Sequence, residues 1–124
     1  MILISDILKE KYTSQKLVVT IGSFDGIHLG HQKIIECVVE KSRSSNCKSC
    51  VIVLRPHPRT YFFPDIPVNT LTSETSQEKI LESLGIEIIG VLPFCNNVAN
   101  IEPENFVKDV LLKFADIHTI VVGN

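Results

Sequence analysis

Residues 20–35 constrain the fold of this chain more than any other stretch. Their sequence is Thr-Ile-Gly-Ser-Phe-Asp-Gly-Ile-His-Leu-Gly-His-Gln-Lys-Ile-Ile. The largely apolar run 17–21 leads into them and predicts a buried strand. Three glycines then break the strand period, and apolar residues return at helical spacing from Ile34. A strand, a glycine-containing turn and a helix open a βαβ unit, and the turn suits an anion because the first N–H groups of the helix point into it.

Two histidines, His28 and His31, stand at the predicted entrance of this helix. Their spacing of three residues places them on one face once the helix has begun. Gly30 lies between them and carries no side chain, so a ligand can approach the backbone closely. Surface histidines at an ordinary helix cap are the alternative interpretation. The preceding strand and the glycines favour a polyphosphate site, because imidazoles, bare amides and a helix dipole converge there.

The residues of this turn resemble a known signature. Residues 28–31, His-Leu-Gly-His, resemble the HxGH signature of the nucleotidyltransferase superfamily. The longer stretch 22–31, with Phe-Asp-Gly ahead of the histidines, resembles more specifically the N-terminal FMN adenylyltransferase (FAD synthetase) module of the bacterial bifunctional riboflavin kinase/FAD synthetase family. Residues 56–58, Pro-His-Pro, match that family's motif after its second strand, and the resemblance covers nearly all of the chain from Leu17 onward.

The resemblance implies an FMN adenylyltransferase, a transferase that moves AMP from ATP to FMN and gives FAD and pyrophosphate in FAD biosynthesis. It implies that His28 and His31 are catalytic, holding the ATP phosphates and stabilising the charge that develops during transfer. Magnesium is expected with ATP, bridging its phosphates. Asp25 is expected to shape the turn rather than to bind a metal. The implied binding residues are, for the nucleotide, Gly22, Ser23, Phe24, Asp25, Gly30, His31 and Asn124, and, for the flavin, Pro56, His57 and Pro58.

Strand and helix patterns alternate along the rest of the chain and predict an α/β fold with a parallel sheet and right-handed crossovers. The predicted strands are 17–21, 51–54, 86–92 and 117–122. Periodicity does not fix their order. The resemblance implies a Rossmann-like sheet with helices on both faces, in which the first strand is central, the second and third lie on one side of it and the fourth on the other.

Three helices are predicted between these strands. The first runs from His31 to about Arg43, and the third begins near Pro103, because the first turn of a helix accepts proline. The second has Ser73 as its N-cap and Gly85 as its stop. The apolar stripes expected to be buried are Ile80, Leu81 and Leu84 on the second helix, and Phe106, Val107, Val110 and Leu111 on the third.

Length and charge narrow the classes of function. The 124 residues are expected to form one FMN adenylyltransferase domain, 1–124, that is incomplete at its C-terminus. The net charge of −2 and the lack of a basic face argue against nucleic acid as the main partner. No apolar run reaches the length of a membrane span and no secretory signal is visible, so a cytoplasmic protein without a membrane partner is expected. Residues 1–16 are interpreted as a short apolar piece followed by a polar approach of helical character.

Four cysteines are present, and Cys47-x-x-Cys50 has the spacing of a metal or redox pair. A structural zinc site needs about four ligands, and no second pair completes one. A redox motif would lie at the end of a strand, whereas this pair precedes the predicted strand 51–54. We therefore interpret both residues as reduced thiols on a loop.

Residues 121–124, Val-Val-Gly-Asn, resemble the start of the family's next motif. The residues that follow in the family, and a later Ser-Ser-Thr-x-x-Arg segment that handles phosphates, are not in this sequence. The resemblance therefore implies a truncated module, which we expect to transfer AMP poorly on its own. It also implies a riboflavin kinase module in a full-length gene product.

Two alternatives stay open. One is another HxGH nucleotidyltransferase, of the pantetheine-phosphate, nicotinate or cytidylyl type, against which the Phe-Asp-Gly and Pro-His-Pro strings speak. The other is a non-catalytic nucleotide-binding fragment. The site itself is predicted at the carboxyl ends of the first two strands, between residues 22–31 and 56–58, because ligands of open parallel sheets bind at those ends.

Overall fold

The structure, a computed structural model, describes residues 1–24, 29–55, 74–93 and 103–122. Its strands are β1 (Ile2–Ile4), β2 (Tyr12–Gly22), β3 (Lys48–Arg55), β4 (Ile88–Pro93) and β5 (Ala115–Ile120). Its helices are α1 (Leu29–Ser44), α2 (Glu74–Ser83) and α3, which joins an α-helical turn (Pro103–Phe106), a π-helical turn (Val107–Leu111) and a second α-helical turn (Leu112–Phe114). From β2 onward the order of strands and helices follows the prediction.

The five strands of the described ranges form one parallel sheet in the order β1-β4-β3-β2-β5. The strand that leads into the glycine turn, β2, lies between β3 and β5, and β4 lies beyond β3. This confirms the implied order of the four predicted strands. The patterns missed β1, because three residues are too few to show a period. It pairs with β4 at the edge of the sheet, with Ile2 opposite Ile88.

The segment between β1 and β2 forms a turn, and the expected helical approach is wrong. The N–H of Leu8 donates to Oδ1 of Asp6 at 2.9 Å. The N–H groups of Lys9 and Glu10 donate to the Asp6 carbonyl at 3.1 and 3.0 Å. Asp6 thus satisfies three amides in one turn, after which the chain enters β2 at Tyr12.

Apolar residues alternate along the inner strands and build one core on each face of the sheet. The core beneath α1 and α2 contains the strand residues Val18, Val51, Val53 and Ile89. The core beneath α3 contains the strand residues Leu17, Val19, Cys50, Ile52, Ile88 and Leu92. Helices therefore cover both faces, as predicted. Within the described ranges no helix is both long enough and apolar enough to cross a bilayer.

β3 begins earlier than predicted, at Lys48, because a polar residue is satisfied inside the sheet. Ser49 is buried, and its hydroxyl donates to the Gly85 carbonyl and accepts from the Glu87 N–H, each at 3.0 Å. A serine with both bonds made can occupy a buried strand position. An apolar pattern cannot show this, since the partners lie more than thirty residues away.

α2 turns a different face to the sheet from the predicted one. Leu81 is buried as expected, but Ile80 is 37 % exposed, and Gln77 is the second buried residue of the helix. Gln77 and Leu81 are four residues apart and so lie on one face. Gly85 follows the helix with a φ of +102°, which confirms the predicted stop. Ser73, the predicted N-cap, lies outside the described residues.

α3 packs with the predicted face. Val110 and Leu111 are buried, and Phe106 and Val107 pack against the same core. Its π-helical turn is the part that no pattern in the sequence indicated.

Gly90 in β4 offers a test of the packing on this face. A Cβ at this position would lie 2.7 Å from Cγ2 of Ile7, which is buried. Gly90→Ala is therefore expected to lower the free energy of unfolding by about 1–3 kcal/mol, measured by urea denaturation. In an Ile7→Ala background the same change should cost less, since the obstructing methyl group is gone. Equal costs in the two backgrounds would contradict this packing.

Candidate functional site

β2 delivers the chain to the predicted turn at the carboxyl end of the sheet. It ends at Gly22, which pairs with Val53 of β3, and α1 begins at Leu29. Beside the end of β2 lies a cavity of about 320 Å³. Its described lining residues are Thr20, Ile21, Gly22, Ser23, Phe24, His31 and Ile34. The carboxyl end of parallel strands is where ligands of open sheets bind.

Phe24 shapes this turn although it is a bulky residue in a left-handed backbone conformation, with a φ of +51°. Its side chain is only 3 % exposed. The ring lies against the backbone of Gly22, where an added Cβ would be 2.9 Å from Cε2 of the phenylalanine. Only glycine fits beneath the ring, so Gly22 and Phe24 form one packed unit.

The ring of Phe24 also contacts His31. The two ring centroids are 5.3 Å apart and the planes meet at 65°, an edge-to-face arrangement. His31 belongs to the first turn of α1, which carries no acidic residue. The cavity is therefore bordered by an imidazole and by the N-terminal turn of a sixteen-residue helix. That combination suits an anion.

Gln77 of α2 holds the other side of the turn. Its Nε2 donates to the carbonyl oxygens of Ser23 and Phe24, at 2.7 and 3.0 Å. The residue is 6 % exposed, so these bonds form in a shielded environment. Both residues that follow β2 are thus tied by their backbones to the helix that follows β3.

Arg55 ends β3 and joins the same group. Its Nη2 donates to Oε1 of Gln77 at 2.9 Å and lies 3.1 Å from a carboxylate oxygen of Glu78. Its Nη1 lies 3.5 Å from Glu74, a weaker contact because that carboxylate is exposed. The Nε of Arg55 is buried and has no hydrogen-bond partner among the described residues. The end of β3 and the turn after β2 are thus connected through Gln77.

Four of the predicted nucleotide-binding residues meet at the cavity, namely Gly22, Ser23, Phe24 and His31. Gly30 lies in the first turn of α1. The other predicted site residues lie outside the described residues, and their roles stay predictions: Asp25, His28, Pro56, His57, Pro58 and Asn124.

The sequence interpretation missed Arg55 and Gln77 as members of the site. Arg55 did give a signal, because it is a charged residue directly after the predicted strand 51–54. Glu74 and Glu78, four residues apart, offer carboxylates for it on one helix face. Gln77 gave none, since an amide among polar helix residues is normally solvated.

Cys50 corrects the interpretation of the Cys47-x-x-Cys50 pair as two loop thiols. It lies buried in β3, and burial raises the pKa of its thiol to about 12. Cys47 precedes β3, and both thiols are free, as expected. Among the described residues no group of three or more histidine, cysteine or acidic side chains could hold a metal ion.

Thiol labelling distinguishes these cysteines. Cys37 is exposed and should react with a maleimide in the native protein. Cys50 should react only after denaturation, because its thiol is inaccessible and stays protonated at about pH 8. Peptide mass spectrometry of protein labelled with and without urea measures both, and a Cys37→Ser variant assigns the fast reaction. Rapid labelling of Cys50 in the native protein would contradict its burial.

The fold and the turn define a Rossmann-like α/β protein with a candidate anion site after its first long strand. The family model for FAD synthetase matches residues 10–124 of the chain. The chain therefore belongs to the FAD synthetase family.

Curated relatives share this assignment. The chain is 29 % identical over 122 residues to the bifunctional riboflavin kinase/FMN adenylyltransferase of Buchnera aphidicola subsp. Schizaphis graminum, covering 98 % of the chain and 39 % of the relative. It is 29 % identical over 107 residues to the Escherichia coli K12 protein of the same name, covering 86 % of the chain and 34 % of that relative. The Bacillus subtilis protein of that name is 28 % identical over 111 residues, with 89 % and 35 % covered. The chain thus spans between a third and two fifths of the length of these relatives.

A solved structure shares the fold. The crystal structure of a macrolide-efflux protein from Streptococcus pneumoniae superposes with a TM-score of 0.80 at 22 % sequence identity. The match covers 98 % of this chain and 40 % of that one. At this identity the likeness shows the fold alone.

Proposed function

We propose that this protein is an FMN adenylyltransferase, which transfers AMP from ATP to FMN and gives FAD and pyrophosphate. The observation that carries the proposal is the meeting of Gly22, Phe24 and His31 at a cavity beside the N-terminus of α1. Membership of the FAD synthetase family supports the same reaction. The relatives carry FMN adenylyltransferase in their names.

In the proposed reaction a phosphate oxygen of FMN attacks the α-phosphorus of ATP. The bond from that phosphorus to its bridging oxygen breaks, and pyrophosphate leaves with the electron pair. Such transfers depend on alignment and charge neutralisation more than on a protein nucleophile. We propose that His31 and the first N–H groups of α1 stabilise the negative charge on the ATP phosphates. The resemblance assigns the same role to His28.

The remaining assignments follow from position along the chain. Gly22 and Ser23 would lie against the nucleotide, and Gly30 would allow close approach at the helix entrance. Residues 56–58 follow Arg55, which is bonded through Gln77 to the turn after β2. This connection supports Pro56, His57 and Pro58 as the border of a flavin site next to the nucleotide. Asn124 is proposed as a further phosphate contact and Asp25 as a residue that shapes the turn.

Magnesium belongs to the proposal as an ion that arrives with ATP. The described side chains that line the cavity include the hydroxyls of Thr20 and Ser23 and the imidazole of His31, but no carboxylate. This set of groups suits phosphate oxygens better than a dedicated Mg²⁺ site, which uses carboxylates. When bound with ATP, the ion would neutralise part of the charge on the phosphates.

The relatives also carry riboflavin kinase in their names. Since a riboflavin kinase produces FMN, a kinase module in the full gene product is part of the proposal. A cytoplasmic enzyme without a nucleic-acid or membrane partner is part of the same proposal.

FAD formation tests the proposed function. The gene product that carries these residues is incubated with ATP, Mg²⁺ and FMN, and FAD and pyrophosphate are quantified by chromatography and a coupled assay. We expect equal amounts of both products. Nicotinate mononucleotide and phosphopantetheine serve as competing acceptors, and CTP replaces ATP in a parallel reaction. Transfer to one of those acceptors, or from CTP, without FAD formation would replace the proposal by another nucleotidyltransferase, and no transfer to any acceptor would contradict it.

A further inference from the structure

We propose that Gln77 is a positioning residue, whose side-chain amide fixes the backbone of Ser23 and Phe24 and so sets the place of the Phe24 ring beside His31. The kinetic part of this inference rests on the proposed function. The structural part does not, because it concerns the folded chain without substrate.

The partners of Gln77 fix the direction of its amide. Two carbonyl oxygens, those of Ser23 and Phe24, can only accept, and the guanidinium of Arg55 can only donate. The Nε2 group therefore faces the turn and Oε1 faces the arginine, at 2.7, 3.0 and 2.9 Å respectively. Both N–H groups of Nε2 are in use. The buried amide therefore donates at one end, to the turn, and accepts at the other end, from Arg55.

Arg55 fixes the orientation of the Gln77 amide from the side opposite the turn. Its guanidinium is placed by Glu78 at 3.1 Å and more weakly by Glu74, both on the helix that carries Gln77. α2 supplies both the amide and the two carboxylates. The carboxylates hold the guanidinium of Arg55 in place, and the guanidinium in turn orients Oε1 of Gln77. The orientation of Nε2 toward the turn follows from that of Oε1.

Phe24 transmits the restraint to His31. The residue that accepts the bond at 3.0 Å is the same one whose ring meets the imidazole with centroids 5.3 Å apart. The ring of Phe24 packs against Gly22, and its backbone has a positive φ. Because both the ring and the backbone are constrained, a displacement of the carbonyl also displaces the ring. A turn released by Gln77 would shift the ring that packs against His31.

Gln77→Glu removes both N–H donors and keeps the size of the side chain and its acceptor for Arg55. A carboxylate of nearly the same size still accepts from Arg55, but its second oxygen would face two carbonyl oxygens, and repulsion replaces two hydrogen bonds. We expect displacement of the turn, seen as a change in the His31 imidazole resonances, because the Phe24 ring lies close enough to influence them. We also expect kcat for FAD formation to fall by about tenfold or more with a smaller change in KM, because alignment of the phosphates is lost.

Two further variants complete the design. Thr75→Glu adds the same charge at an exposed position of α2 and should leave the His31 resonances and kcat unchanged. Gln77→Met removes both N–H donors without adding a charge at nearly the same side-chain size, and should also alter the His31 resonances, because the Ser23 and Phe24 carbonyls lose their donor. If Gln77→Glu does not fold, the methionine variant decides alone.

Two-dimensional NMR spectra of the imidazole groups are recorded for the 124-residue chain and its variants without nucleotide. The rates of FAD formation are then measured for the gene product and the same variants of it. Altered His31 resonances in folded Gln77→Glu and Gln77→Met, with Thr75→Glu unchanged, would support the proposal. Unchanged resonances in folded Gln77→Glu or in folded Gln77→Met would overturn it. If the gene product of original sequence forms no FAD while the resonances move in the variants, the proposed function is refuted and the positioning role is supported.

Discussion

Replacing His31 with alanine is expected to lower kcat for FAD formation by about a hundredfold or more, which is the usual cost of losing one preorganised charge-stabilising donor. The reason is location, since the imidazole borders the cavity in the first turn of α1, where the helix dipole already favours anions. The effect should fall on kcat more than on FMN affinity, because charge on the phosphates grows during transfer. Steady-state rates at saturating ATP and FMN measure it.

A substitution at the far end of the same helix provides the control. Lys41 lies in the last turn of α1 and is exposed, so Lys41→Ala should change kcat by less than about twofold. Unchanged turnover in His31→Ala would remove His31 from the mechanism. Weaker flavin binding at unchanged turnover would move it to the acceptor site.

Gly22→Ala is expected to have an effect of similar size, although it adds only a methyl group. The new Cβ would lie 2.9 Å from Cε2 of Phe24, whose ring is buried and whose carbonyl is bonded to Gln77. The ring can yield only by displacing the turn or His31. Misplacement of reacting groups by about an ångström can cost on the order of a hundredfold in rate, and overpacking costs about 1–3 kcal/mol of stability. Rates of FAD formation and urea unfolding measure the two effects.

Phe24→Leu supplies the partner for a double-substitution test of this clash. A smaller side chain should accept the methyl group, so Gly22→Ala should cost less rate and less stability in the Phe24→Leu background than alone. Strictly additive effects would show that the two residues are not packed against each other.

The sheet could be predicted from the sequence because its inner strands are apolar runs separated by helical patterns. The first short strand, the turn before β2 and the start of β3 could not. β1 is too short to show a period, and the turn before β2 depends on Asp6, whose side chain and carbonyl satisfy three amides. The start of β3 depends on Ser49, which is bonded to residues distant in sequence. Local patterns carry no information about such distant partners.

The site was predictable where its residues are adjacent in sequence. Gly22, Ser23 and Phe24 stand within ten residues of His31, so one motif contains them all. Gln77 is more than fifty residues away from the carbonyls that it binds. Its buried position follows from the rotation of α2, which exposes Ile80, and that rotation is set by packing against the sheet. A tertiary contact of this kind becomes visible only in the folded chain.

The turn after β2 and the N-terminus of α1 are proposed to bind the phosphates of ATP. The most direct test follows the backbone amide resonances of the isotope-labelled chain as ATP and Mg²⁺ are added. We expect the largest shifts at Gly22, Ser23 and His31. The cleft at the opposite end of the strands, where Lys48 pairs with Glu87 at 2.8 Å, should not respond. Shifts concentrated at that cleft, with the turn unaffected at saturating ATP, would show that the turn does not bind the phosphates.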